Sequence, residues 1–418
     1  MLFALGISAA TRHNDDSCDI GTLPAATLLL PYFEVDINAA QTFAQTTIFT
    51  VVNVSSAERI ARITIWTDLA YPIATFSIVL TGYDAQSINL YDIIARGRLP
   101  VTGPTASGSC AATPSDVPQP ILTDLRTALT TGRTQACGTN IVGLTHANAI
   151  GYITIDTVAT CGTSMPNDPA YYSELLYDNV LTGDYETLNP NPATGNFAGG
   201  DPLVHIRAIP EGGPAGVVTK TNLPYTFYDL YTPRGTEDSR AMDRRQPLPH
   251  AFLARYIQGG AGAFNTELHI WREGVVPTGA VCADYKANDG TAMKVSEMLR
   301  FDEHENPTIA VFSLIPGIPP PPVIFPAASS TATSSGLFPP LSTSGDVGGF
   351  FYLNLNNATP SPNTSAKNGA RATQNWVVVS MKAEGRYQAE YGATPLGNGC
   401  SPAPAVRATI GPAPDKTP

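Results

Sequence analysis

The chain has 418 residues, 43% hydrophobic and 14% charged, with 37 prolines and 36 glycines. That apolar share can fill the cores of about two or three domains, and few charges with many turn-formers disfavour long exposed helices and favour short strands joined by turns. Net charge is −11 without a basic run, which argues against nucleic acid as a partner, and no apolar run reaches the ~18 residues of a membrane-spanning helix.

The start, MLFALGISAATRHNDDSC, is apolar, then small, then polar. It reads as the back half of a secretion signal with ISAA near the cleavage position, or as an ordinary apolar N-terminus, because the basic leading segment is missing. Residues 1–23 are set apart on this ground. In TTIFTVVNV, Ile48, Val52 and Val54 share one face, and Thr47, Phe49, Val51 and Asn53 the other. In RIARITIW, Ala61, Ile63 and Ile65 oppose Ile60, Arg62, Thr64 and Trp66. Period two with β-branched and aromatic residues predicts strands, and the SSAE between them a hairpin connection. Strands at Phe76–Leu80 and Ser87–Tyr91 follow around TGYD, a spacing that reads as an antiparallel sandwich.

Residues 103–120, GPTASGSCAATPSDVPQP, read as loop, and Ile121, Leu122, Leu125 and Leu129 at helical spacing predict a helix closed by Gly132. Ile150–Val158 reads as a strand whose Gly151 permits close backbone approach. The Asn/Asp/Gly/Pro-rich stretch from Tyr177 to Asp201 reads as a loop leading into a strand at Leu203–Ile209. The second half repeats the plan weakly: FNTELHIWREG matches the Thr-then-Trp strands, and GGFFYLNLN matches IGYITID. The expected organisation is therefore mainly β, with a first β-sandwich over 24–215, a connector with a short helix over 216–256 and a second sandwich over 257–400. The second sandwich carries a Pro/Ser-rich loop at 315–346, and 401–418 is a disordered tail.

Cys18, Cys110, Cys137, Cys161, Cys282 and Cys400 show no CxxC or Cys/His ligand spacing, and an even, widely spaced set fits disulfides in an oxidising compartment. Cys110 with Cys137 is the best local pair and would staple the helical insertion. Cys18–Cys161 and Cys282–Cys400 complete it most simply, although spacing cannot choose among the pairings. The expected location is secreted, periplasmic or cell-surface.

No GxSxG, HExxH, Walker, GxGxxG or EF-hand pattern occurs. Asp178, Asn179, Asp184 and Asp201 lie in one turn-rich segment. They could hold calcium as a cofactor, or cap their own backbone as such residues usually do. In NTELHIWRE, Glu267, His269, Trp271 and Glu273 share a strand face. Glu267 and His269 could reach one ligand or metal, or the face is exposed with Trp271 at its buried end. Arg244 and Arg245 could fork onto an anionic ligand or pair with Asp238 and Asp243 beside them. Asp302, Glu303, His304 and Glu305 could hold calcium, supply acid–base carboxylates or form a solvated loop. Tyr172, Tyr225, Tyr228 and Tyr231 could stack on a glycan or cover sheet edges.

TTIFTVVNVS, ARITIWTD, FSIVLTGYDAQSINLYDI and GYITIDTV, with NVLTGDY, LVHIRA, DRRQPLP and IWREG, together resemble a class of uncharacterised secreted bacterial proteins. The resemblance covers most of residues 24–400 and implies immunoglobulin-like β-sandwiches and export, with no activity or site to carry over. These features lead to the expectation of a non-catalytic envelope or extracellular scaffold, adhesion or binding module, with an envelope component or glycan as partner. The alternative is a secreted polysaccharide or ester hydrolase using carboxylates such as Asp302, Glu303 or Glu267.

Overall fold

A computed structural model describes residues 23–103, 106, 110, 116–166, 168, 170–191, 197–208, 248–260, 264–272, 282, 293–294, 297–309, 324–325, 328–333, 348–354, 375–383 and 387–398. The protein is mainly β, and its strands pair antiparallel in several sheets. The first strands are β1 (Thr27–Val35), β2 (Thr46–Asn53), β3 (Arg59–Thr67), β4 (Pro72–Leu80) and β5 (Ala85–Asn89). The helices α1 (Leu90–Ile94) and α2 (Gln119–Thr131) precede β6 (Ala149–Val158), and α3 (Ala170–Glu174) precedes β7 (Leu181–Asn189), β8 (Phe197–Pro202) and β9 (Val204–Ile206).

A five-stranded sheet in the order β4-β3-β6-β1-β9 faces a four-stranded sheet, β5-β2-β7-β8. Between them lies one core that includes Leu28, Leu30, Phe33, Phe49, Val51, Ile63, Ile65, Ile78, Ile153 and Tyr185. The alternation of β2 settles its faces: Thr47, Phe49, Val51 and Asn53 are buried, while Ile48, Thr50 and Val52 are partly exposed. SSAE is not a hairpin, because β2 pairs with β5 and β7 while β3 pairs with β4 and β6. The chain crosses from one sheet to the other there. Buried Asn53 holds the corner, donating to the carbonyls of Ala57 at 2.7 Å and Thr81 at 2.9 Å and accepting from the Ser55 hydroxyl at 2.7 Å.

TLLLPYFEV, to which alternation alone assigns no strand, is β1, second from one edge of its sheet. A near-continuous apolar run is what a strand buried on both faces requires. Pro31 sits where the β1–β6 register shifts between Leu30 and Phe33, the irregularity at which a strand tolerates a missing N–H. The stretch expected as an Asn/Gly/Pro loop holds β7 and β8, whose pairing covers Asp184–Asn189 and Phe197–Pro202. Its Asn and Gly content reflects a close-packed sheet edge as well as a turn.

The helix expected over Ile121–Leu129 is α2, closed by Gly132 at φ 66°. Leu122, Leu125, Ala128 and Leu129 are buried, whereas Ile121 faces solvent, contrary to its expected place on the apolar face. Arg126 of α2 donates to the carbonyls of Ile94 and Ala95, satisfying the open end of α1.

The later strands are β10 (Pro249–Ile257), β11 (Asn265–Arg272), β12 (Met293–Lys294), β13 (Glu297–Asp302), β14 (Pro307–Ile309), β15 (Ile324–Phe325) and β16 (Ala328–Thr333). They are followed by β17 (Gly348–Asn354), β18 (Asn375–Ala383), β19 (Tyr387–Gly392) and β20 (Thr394–Asn398). The sheets β14-β13-β17-β10-β20 and β16-β11-β18-β19 enclose a second core, with Phe252, Tyr256, Leu268, Ile270, Phe351, Leu353, Val377 and Val379. β10 therefore occupies the end of the expected connector and runs one residue past it, and β15 and β16 fall within the expected Pro/Ser-rich loop.

The disulfides join Cys110 to Cys161 and Cys137 to Cys282, so the expected Cys110–Cys137, Cys18–Cys161 and Cys282–Cys400 pairs are replaced. The reason is tertiary: Cys110 packs with Ile60, Val79 and Val158 in one apolar cluster and Cys137 with Trp66, Tyr152 and Val204 in another, so the two meet different partners. Cys18 and Cys400 lie outside the described residues, as do the N-terminal segment to 22, the tail 401–418 and all of 209–247.

Candidate functional site at the seam between the sheet pairs

β9 pairs only with Thr27–Leu29, so the later residues of β1 are paired through β6 alone. Against this edge sit β11 and β18, and β8 packs against β19. An apolar cluster with Leu29, Trp66, Tyr152, Val204, Ile206, Leu248 and Trp271 fills one end of the seam, with Trp376 packed on it. The Cys137–Cys282 disulfide packs on the same cluster.

The other end is polar. From β1, Tyr32 stacks on His269 with ring centroids 3.9 Å apart, and its hydroxyl donates to Glu34 at 3.1 Å. Glu34 also accepts from Gln45 at 3.0 Å and from Asn148 at 2.7 Å. From β18, Lys382 bonds Glu267 of β11 at 2.6 Å. Ser380 is the cross-strand neighbour of both Glu267 and Glu390, so the three side chains stand in a row on one face. Glu390 of β19 is buried and accepts from Gln388 at 2.7 Å and from the Thr187 hydroxyl. Asp201 of β8 accepts from the Gly392 backbone N–H of β19. The sheets meet so closely that a Cβ on Gly199 would lie 3.1 Å from the Glu390 nitrogen, and one on Gly392 2.7 Å from the Asp201 carboxylate.

Burial dominates the electrostatics. Removal from water pushes Glu390 up to about 7, against smaller opposing hydrogen bonds from Thr187 and Gln388, and pushes Asp201 up to about 6. Burial, assisted by Lys382, lowers His269 to about 3 and keeps it neutral. Tyr32 and Tyr185 are held well above the usual phenol value, first by burial and then by neighbouring carboxylates.

Of the expected ligand residues, Glu267 and His269 do share this face, but it is not an exposed one. His269, Leu268, Ile270 and Trp271 are all buried, because the first sheet pair covers the side of β11 that alternation reads as solvated. Glu273, Arg244 and Arg245 lie outside the described residues, as do Tyr225, Tyr228, Tyr231 and the Tyr172 side chain. The calcium set does not converge. Asp178 pairs with Arg59 at 3.2 Å, and Asn179 exchanges hydrogen bonds with the Ala208 backbone, both at 2.8 Å. Asp184 faces solvent, while Asp201 lies opposite Tyr185 on the other face of the β7–β8 pair. Asp302 accepts from Asn306 and His304 of its own turn, with Glu303 exposed beside it, on a different sheet from Glu267.

Among the described residues, no group of three His, Cys, Asp or Glu side chains is arranged to hold a metal ion. Tyr32, Glu34, Tyr185, Lys382 and Glu390 have no sequence signal of a site. A single acid in YQAEYG or LPYFEV reads as the polar side of a strand, and only the second layer buries it.

Two further polar constellations support structure. Buried Arg62 pairs with Glu174, donates to Thr160 O at 2.7 Å and lies over the Tyr171 ring, whose hydroxyl bonds Asp156 at 2.5 Å. Asp68 holds His146 at 2.7 Å and accepts from Leu144 N at 2.9 Å, which fixes the loop before β6. Among the described contacts no hydroxyl reaches this imidazole. Comparison with protein-family models, curated proteins and solved structures returned no match.

Proposed function

We propose that the protein is an exported, non-catalytic scaffold or binding module of the cell envelope or extracellular space, built from two tandem immunoglobulin-like β-sandwiches. The observation that carries this reading is the Cys137–Cys282 disulfide, set among the side chains packed between the two sheet pairs. A covalent tie there is useful to a molecule that must keep its shape outside a reducing compartment. The titratable groups of the seam bond one another and the neighbouring backbone, the pattern of a structural polar junction. Among the described residues no helix is long and apolar enough to cross a membrane, which agrees with this reading and leaves β-barrels unaddressed. The hydrolase reading has less support, since Asp302 closes its own turn and Glu267 pairs with Lys382.

The test is to isolate the protein from its native host, locate it by fractionation and titrate thiols before and after reduction. The oxidised protein is expected outside the cytoplasm, binding envelope or glycan material without turning it over. Free thiols at Cys137 and Cys282 in native material, or hydrolysis of a polymer, would overturn the reading.

A further inference from the structure

Four carboxylates reach the polar end of the seam: Glu34 from β1, Asp201 from β8, Glu267 from β11 and Glu390 from β19. Lys382, the described cation among them, is bonded to Glu267, and His269 is buried against the Tyr32 ring. Glu34 is served by the neutral donors Tyr32, Gln45 and Asn148. Glu390 is served by Thr187 and Gln388, and Asp201 by a backbone N–H. Lys382 also acts on Glu390, more weakly than the hydrogen bonds of Thr187 and Gln388, while among the described residues no cation acts on Asp201 and the buried hydroxyls of Tyr185 and Ser380 have no hydrogen-bond partner. An ionised carboxylate packed this closely between two sheets, served by neutral donors, is costly unless water enters.

We propose that the β8–β19 seam is a protonation-controlled clasp, closed while Asp201 and Glu390 carry protons and loosened when both ionise.

Ionisation would favour separation of β8 from β19, where each carboxylate regains water. The two groups have raised values when closed, so their contribution is full below the ordinary carboxylate range and is lost as pH rises through about 6 for Asp201 and about 7 for Glu390. His269 works in the opposite sense. Its contribution is full above the ordinary imidazole value and is lost as pH falls toward about 3. Closure therefore strengthens from weakly alkaline to weakly acidic pH, and the gain stops in stronger acid.

The three tryptophans of the chain, Trp66, Trp271 and Trp376, all belong to the apolar end of the same seam. Iodide quenching of their fluorescence in the full, oxidised chain therefore reads its opening. Quenching is expected to rise about twofold or more between about pH 5 and pH 8, with a midpoint between about 6 and 7. The double variant Asp201→Asn, Glu390→Gln should flatten the rise with unchanged far-ultraviolet circular dichroism. In the wild type, carbon-13 carboxyl resonances should show two groups titrating near neutrality, a measurement that stands even if the variant fails to fold. A flat wild-type quenching profile, the same rise in the folded double variant, or no carboxyl titrating above about pH 5.5 would overturn the clasp.

Discussion

Arg62 shows how a residue whose neighbours alternate apolar and polar comes to lie in the interior. Its guanidinium has no exposed surface and is compensated by Glu174 and Thr160 O. Removing one partner of a buried pair leaves a charge without its counter-ion, which is more damaging than replacing both by apolar groups. Glu174→Ala should therefore lower unfolding free energy by about 3 kcal/mol, and Arg62→Met with Glu174→Leu by clearly less. Chemical denaturation of the single and double variants checks this. His269 makes a second prediction at this scale. Because burial depresses it to about 3, wild type should lose stability relative to His269→Phe as pH falls below about 6.5, on the order of 1.4 kcal/mol per pH unit. Equal slopes for the two proteins between about pH 6 and pH 4 would show that the imidazole is hydrated in the native state.

At the scale of elements, two glycines mark places where backbone meets backbone. In β6, a Cβ on Gly151 would stand 2.1 Å from the Trp66 carbonyl oxygen of the neighbouring strand and 2.9 Å from the Phe33 ring. That close approach is the role the sequence suggested for this glycine. At the end of α2, Gly132 has φ 66°, and a Cβ would meet the Gly143 carbonyl at 1.8 Å. Each Gly→Ala change is expected to cost about 2 kcal/mol or more, by forcing strands apart at Gly151 and by adding left-handed strain to the clash at Gly132. Thermal denaturation checks both, with exposed Gly138→Ala as a milder comparison, since that residue has φ 60° and open space around it. The strands β2, β3, β4, β5 and β6 were legible because period two survives in the letters: in β3 and β6 both sides are buried, but Arg62, Thr64, Thr154 and Asp156 keep one side polar. β1 was not, because both of its buried sides carry Leu, Tyr or Phe and the alternation disappears. β7 and β8 were masked by Asn, Asp and Gly, which signal turns but also permit close sheet contact, as at Gly183 and Gly199.

For the whole molecule, the disulfides close loops of different length: 145 residues separate Cys137 from Cys282, and 51 separate Cys110 from Cys161. The chain-entropy argument makes the longer bridge more stabilising by about 1 kcal/mol, within a total of about 3–5 kcal/mol each. Paired Cys→Ser variants, compared by denaturant midpoint, should rank in that order. The reverse order would mean that the local bridge also anchors the segment ahead of α2. Part of the seam constellation could be read beforehand, since Glu267 and His269 were singled out as one face and Asp201 as a ligand candidate. Their meaning changed when β1 came to lie across β11 and β19 across β8. A carboxylate in an alternating strand is written the same way whether water or another sheet covers it.

Sequence by itself determined the β character of the chain, the position and closure of α2, the even complement of cysteines and the faces of the early strands. These follow from local rules of alternation, helix capping and turn chemistry that need no distant partner. Tertiary structure alone decided which sheet each strand joins, which cysteines meet and which polar faces lose their water. Those outcomes depend on contacts between residues far apart in the chain, and burial, the strongest influence on Glu390, Asp201 and His269, is a property of the neighbours rather than of the residue.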